Sequence, residues 1–143
     1  MAITDVHGAV TEKMAIGFAG MIADTAGPKD VASRTIENAV VAFGLAVGRG
    51  AADGSARLGG TGFEGIAIAD KTRVADEYAV GEVAGVMRKG AVWVTVSTDV
   101  TPANAVTFTA ATGVIGDGLA TTIEGAKFET TATAGNLARV YLG

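Results

Sequence analysis

From Ile36 onward the chain is built of short runs in which apolar and polar residues take alternate positions. In "AVWVTVS", Val92, Val94 and Val96 share one side and Trp93 and Thr95 the other. "AVTFTA" sets Val106, Phe108 and Ala110 against Thr107 and Thr109, and "NLARVYL" sets Ala138, Val140 and Leu142 against Leu137, Arg139 and Tyr141. A period of two marks a strand with one buried face. "FEGIAIAD" and "YAVGEVAGVM" are strand-like with interior glycines, which predicts bulges or sharp bends. "IEGAKFETTA" is a polar, threonine-rich strand. Turn signals separate these runs at "GRGAADG", "ADKTR", "RKG", "TDVTPANA", "VIGDGLA" and "TAG". Regularly spaced short strands without strand–helix–strand alternation predict an all-β fold, a jelly-roll-like β-sandwich or small barrel.

The first 35 residues differ. In "VTEKMAIGFAGMIAD", Val10, Met14, Phe18, Met21 and Ile22 fall on one face at helical spacing, but Gly17 and Gly20 each cost a helix about 1 kcal/mol relative to alanine. "TAGPKD" then supplies a turn at Gly27-Pro28. The division expected is an apolar N-terminal arm over residues 1–35, with at most a short helix, and a β-sandwich or jelly-roll domain over 36–143. The apolar stripe has two readings. Its side chains either cap the domain's own core or reach a partner. At the junction lies "IENAVVAFGLAVGRG", Ile36 to Gly50, too broken by glycine for a helix and too apolar for a surface loop.

Composition narrows this further. The 143 residues fit one domain. Hydrophobic residues make up 49% but aromatics only 6%, so much of the apolar content is alanine and the core is expected to be thin. A charged fraction of 18% with positive mean hydropathy argues against disorder for the bulk of the chain. The net charge of −4 and the lack of any Lys/Arg run give no footprint for nucleic acid. With no cysteine there is no disulfide, thiolate nucleophile or cysteine metal site. The N-terminal region does not read as a signal peptide, and no apolar run approaches the roughly 18 residues of a membrane span.

The chemical motifs are slight. "GTGFEG" has G-x-G-x-x-G spacing, but a strand-like segment follows it where a dinucleotide site needs a helix N-terminus. His7 is the only histidine and lies in the N-terminal arm. Asp70, Asp76 and Glu77 surround one turn and Asp117 sits in another, which loop solvation explains, with calcium at the first cluster as the alternative. Ser97 has neither elbow glycines nor a base. Trp93, the lone tryptophan, reads first as a core anchor and second as an interface residue. No catalytic, cofactor or metal site is expected, and no enzyme.

A resemblance gives these features a common purpose. Gly20-Met21-Ile22-Ala23-Asp24, Phe43-Gly44-x-Ala46-Val47, Phe63-x-Gly65-Ile66-Ala67 and Gly90-x-Val92-Trp93-Val94 occur in this order between about Lys13 and Ser97. In that stretch the chain resembles the structural cement (decoration) proteins of tailed bacteriophage capsids; the C-terminal third matches only in its threonine-rich β character. The resemblance implies a jelly-roll or sandwich domain on the outer surface of the virion's head, clamping neighbouring major capsid proteins. Ile36–Gly50 would be one strand of the sandwich. The thin, alanine-rich core with extra apolar strand surface predicts a homo-oligomer, and the resemblance favours a dimer slightly before a trimer. The candidate capsid or self contacts are Met14, Phe18, Met21, Ile22 and Trp93. A carbohydrate-binding or fibre-type β module of a virion is the alternative.

Overall fold

The computed structural model describes residues 17–23, 29–60 and 62–143. The expectations for His7, Val10, Met14 and the Gly27-Pro28 turn lie outside the described residues. Within them there are eleven strands and no helix: β1 (Asp30–Glu37), β2 (Val41–Ala42), β3 (Ala46–Arg49), β4 (Ser55–Leu58), β5 (Phe63–Ala67), β6 (Glu77–Tyr78), β7 (Val83–Thr95), β8 (Ala105–Phe108), β9 (Ile115–Gly116), β10 (Thr121–Phe128) and β11 (Leu137–Leu142). The all-β expectation holds, in its small-barrel form. Strands β1, β4, β3, β5 and β7 pair in that order, and β7 returns to β1, so the ring is closed. Only β1–β4 is parallel in this ring. A second sheet runs β7–β11–β10–β8–β9, and a bridge from Val96 to Ile115 brings β9 back beside the end of β7.

Each strand of the closed ring contributes to one buried cluster: Ile36 from β1, Val47 from β3, Ala56 from β4, Ala67 from β5, and Ala84 and Val86 from β7. This is the barrel interior. Val41, Phe43 and Tyr78, from the β2–β6 ribbon and its flank, belong to the same cluster, with the Phe43 and Tyr78 rings 5.3 Å apart. The opposite face of the barrel wall supplies Ala46, Ile66 and Met87 to a second cluster. There they meet Val92, Val94, Val96, Phe108, Ala138, Val140 and Leu142 of the second sheet, the alternating residues expected to point inward.

Local expectations change at several places: "VIGDGLA" contains β9, and "YAVGEVAGVM" is divided between β6 and β7 by a turn at Val80-Gly81. "RKG" is no turn: β7 runs unbroken for 13 residues through Arg88, Lys89 and Gly90. Its pairing with β1 slips there, Asp30 lying opposite Lys89 and Val31 opposite Met87. That bulge shifts the alternation by one residue, so even-numbered Ala84 and Val86 face the barrel while even-numbered Val92 and Val94 face the other core. Gly90, at φ 120°, takes the bend. Next, Ile36–Gly50 is not one strand. It contains the end of β1, the two-residue β2, a turn at Phe43-Gly44 and then β3. Finally, β1 begins at Asp30 and so crosses residue 35, where hydropathy divides the chain. Its half-buried alternate positions are Asp30, Ala32 and Arg34, with only Ile36 large, apolar and buried, which hides the strand from hydropathy.

The wall between the two cores tolerates little volume. A Cβ on Gly65 would lie 2.4 Å from the Met87 carbonyl oxygen and 2.6 Å from Val86 Cγ1. Gly65→Ala should therefore cost at least about 2 kcal/mol in urea unfolding, through overpacking against backbone. Gly62→Ala, with nothing within 4 Å of its Cβ position, should stay within about 0.5 kcal/mol of the parent.

Candidate functional site

Of the contact residues predicted from sequence, the structure brings Met21, Ile22 and Trp93 together and sets Phe18 beside them; Met14 lies outside the described residues. Residues 17–23 form no helix. They run antiparallel along β7: Gly20 N–H donates to the Trp93 carbonyl at 2.7 Å, Trp93 N–H to Met21 at 2.9 Å, and Ala23 N–H to Ala91 at 2.9 Å. The segment thus extends the line of β1 along the same strand, with Ile22 bridging to Val92 and packing against the larger core. Trp93 lies on the face of β7 opposite Val92 and Val94. It is buried there beside Gly17, whose added Cβ would sit 3.2 Å from the indole Cδ1 and 3.1 Å from Met21 Sδ.

Gly20 fastens this segment to the barrel. It has φ 83°, and its carbonyl accepts from Ala69 N–H at 2.8 Å. A Cβ there would press to 2.8 Å from Ala69 N and 2.9 Å from Phe43 Cβ, so only glycine fits both the backbone conformation and the space. Phe18 remains 39% exposed, with the Lys71 ammonium 4.1 Å from its ring centroid.

Lys71 belongs to the β5–β6 connection, which borders an open groove lined by Asp70, Arg73, Val74, Glu77 and Glu82. Of the Asp70, Asp76 and Glu77 cluster, Asp70 and Asp76 have protein partners, and Glu77 lines the groove. Asp70 accepts from the Thr72 hydroxyl at 2.6 Å and the Thr72 N–H at 3.1 Å, which hold its pKa below the ordinary value. Asp76 lies 3.5 Å from Lys71. Glu82 accepts from Ala79 N–H at 2.6 Å and pairs with Arg73; these contacts lower its pKa and raise that of Arg73. The Arg73 guanidinium stacks 4.5 Å from the Tyr78 ring, and the Tyr78 hydroxyl donates to the Ile68 carbonyl at 2.7 Å. Burial pushes the Tyr78 pKa up. No group of three His, Asp or Glu that could hold a metal occurs among the described residues. Gly60 and Gly62 lie in the β4–β5 connection, and strand β5 follows them.

One arrangement was not legible in sequence. On β1 and β3, Arg34 and Arg49 occupy the same alternate positions as the barrel-lining Ile36 and Val47, nearer the opposite end from Tyr78. Glu64 of β5 is the hub. Its carboxylate lies 3.0 Å from Arg34 Nη2, 3.4 Å from Arg49 Nε and 3.9 Å from Arg88 Nη1. Arg88, in the bulge of β7, also pairs with Asp30 at 2.8 Å. Glu64 and Arg34 are 30 positions apart and Asp30 and Arg88 are 58 apart, so only the closed ring brings them together.

A family model described as structural cement protein (E217 gp24/Pam3 gp6) matches residues 6–143. Among solved structures, the chain is similar to one from the capsid of Myoviridae phage XM1, with a TM-score of 0.73 and 22% identity over 95% of this chain and 96% of that one. It is also similar to the N base of the head fiber gp8.5 of bacteriophage phi29, with a TM-score of 0.51 and 12% identity over 81% of this chain and 95% of that one. No curated protein matches.

The 68–82 connection should respond to acid. Depressed carboxylate pKa values contribute stability that is complete above the ordinary values and lost as pH falls through the lower folded ones. Hydrogen exchange across Asp70–Glu82 should therefore accelerate as pH drops below the ordinary glutamate value of 4.5, after correction for intrinsic rates. Glu82→Gln should exchange faster already at neutral pH and lose part of that added acid response, Asp70 supplying the remainder.

Proposed function

The chain belongs to the structural cement protein family and is a phage structural protein associated with the capsid; from that premise we propose that it binds the outside of the assembled head and cements adjacent major capsid proteins against the pressure of packaged DNA. The match of the family model to residues 6–143 carries this reading. The physical character of the chain supports it. The barrel is closed, only 18% of the chain's residues are charged, and polar loops are tied down locally. Asn104 accepts from Thr101 N–H at 2.7 Å, and Asp99 from Ala134 N–H at 2.9 Å. Side chains already ordered in the free protein lose little entropy on docking.

A ligand that binds the closed shell and not its separated subunits stabilises the shell by mass action, and many copies multiply a modest gain. Heads lacking the protein should form with normal shape but release DNA at lower temperature, and adding it back should restore resistance. Equal heat resistance with and without it removes the cement reading.

On the same reading the arm contributes capsid contact through Met14 and the exposed edge of Phe18, while Met21, Ile22 and Trp93 anchor it to β7. Full-length protein carrying Met14→Ala and Phe18→Ala should melt within a few degrees of the parent yet bind heads about tenfold more weakly, since each apolar side chain buried at an interface contributes on the order of 1.5–3 kcal/mol before ordering costs. Unchanged affinity excludes the arm. The free chain is further proposed to self-associate, as a dimer before a trimer. Val31 and Val83 stand 43% and 56% exposed on the outer face of the paired β1 and β7 and provide apolar surface for it. Light scattering that finds only monomer at micromolar concentration argues against this part.

A further inference from the structure

The ion-pair network at the barrel mouth contains more positive charge than closing the mouth requires. Glu64 is almost fully enclosed, its side chain 9% exposed, and Arg34 already satisfies it at 3.0 Å. Arg88 has Asp30 as its nearer partner, at 2.8 Å. Arg49 is the surplus. Its side chain is 80% exposed and approaches Glu64 through Nε, at 3.4 Å, so most of its guanidinium is open to solvent. An ion pair that exposed adds little to folding stability. Arg34, Arg49 and Arg88 against Glu64 and Asp30 leave one net positive charge; around them Arg57 offsets Glu37, and Lys89 offsets Asp53. The protein as a whole carries −4.

Beside these side chains is an open recess of about 440 Å³. Arg34, Arg49 and Glu64 form one wall, and Gly50, Ala52 and Gly54 leave the other free of bulk. Glu37 holds the 50–55 loop in place, accepting from Ala51 N–H at 2.6 Å and from the Ser55 hydroxyl at 3.2 Å, so the recess is formed before anything enters it. A planar guanidinium open to solvent matches the two oxygens of a carboxylate.

We propose that this recess is a docking socket for an acidic side chain of the capsid protein, an aspartate or glutamate that pairs with Arg49 beside the Glu64–Arg34 pair. The inference rests on the cement reading and specifies where and by what chemistry the contact forms. It predicts an electrostatic component of head binding that depends on Arg49.

The test uses full-length protein and heads that lack it, with binding measured from low to moderate salt. Arg49→Ala should bind about tenfold more weakly at low ionic strength and show a shallower loss of affinity with added salt. Arg49→Lys, which keeps the charge but not the planar fork, should fall between the two. Lys127→Ala, at an exposed position of β10 in the other sheet, changes net charge by the same unit and should bind like the parent, so it controls for overall charge. Melting temperatures of all three should match the parent, because neither side chain is buried. If Arg49→Ala binds with the affinity and salt dependence of Lys127→Ala, the socket is overturned while the cement reading stands. If the parent itself does not bind heads, both fall.

Discussion

One strand has to serve two cores. β7 closes the barrel along its first half and heads the second sheet along its second half, and its side chains must point into different interiors on the way. Strand alternation alone lets Val86 and Met87 face different cores, but it keeps all even positions on one face and so cannot send Val86 to one core and Val92 to the other. The bulge at Arg88 and the bend at Gly90 remove the conflict by advancing the alternation one residue. Everything else takes its place from that shift. Before it, Ala84 and Val86 complete the barrel; after it, Val92, Val94 and Val96 receive β11 and β9. The same bulge places Arg88 where it can reach Asp30 and Glu64, so the mouth of the barrel depends on it too.

The shared wall explains why a chain so rich in alanine and glycine folds without a large aromatic core. β3, β5 and β7 are buried on both faces, with Ala46, Ile66 and Met87 on one and Val47, Ala67 and Val86 on the other. Two layers can approach such a wall closely only if some positions carry almost no side chain, as Gly65 does against the Met87 carbonyl. The core is thin in side-chain volume but continuous through the wall. Dispersion contacts and apolar burial then accrue on both sides of the same backbone.

What could be seen in the sequence followed from how much apolar alternation each strand carries. Val92-Val94-Val96 and Ala138-Val140-Leu142 announce their strands because a hydrophobic core faces them. β1 is nearly silent, because its inward positions run from Asp30 through Arg34 into the polar mouth and reach apolar surroundings only at Ile36. The "RKG" bulge looks like a turn because turns and bulges draw on the same glycine-containing, polar sequences. Residues 17–23 carry a helical spacing of apolar side chains, but the free edge of β7 offers backbone donors and acceptors, and pairing there at Gly20, Met21 and Ala23 overrides a spacing already weakened by two glycines. The arginine cluster had no local signal at all; its members meet only when the ring closes.

Closure also bears on why function left so few chemical signs in this chain. In the barrel every strand has both neighbours, which removes the open edges along which β proteins aggregate. A capsid-associated structural protein gains from that, because association along the barrel then has to use side-chain surfaces. Such surfaces need no motif, only shape and a few well-placed charges on rigid strands. Arg49 at the end of β3 and Phe18 beside Lys71 are the residues proposed above for that role, each exposed and each carried by the closed framework. On the cement reading, specificity would be carried by a minority of outward residues that the many buried positions keep in place.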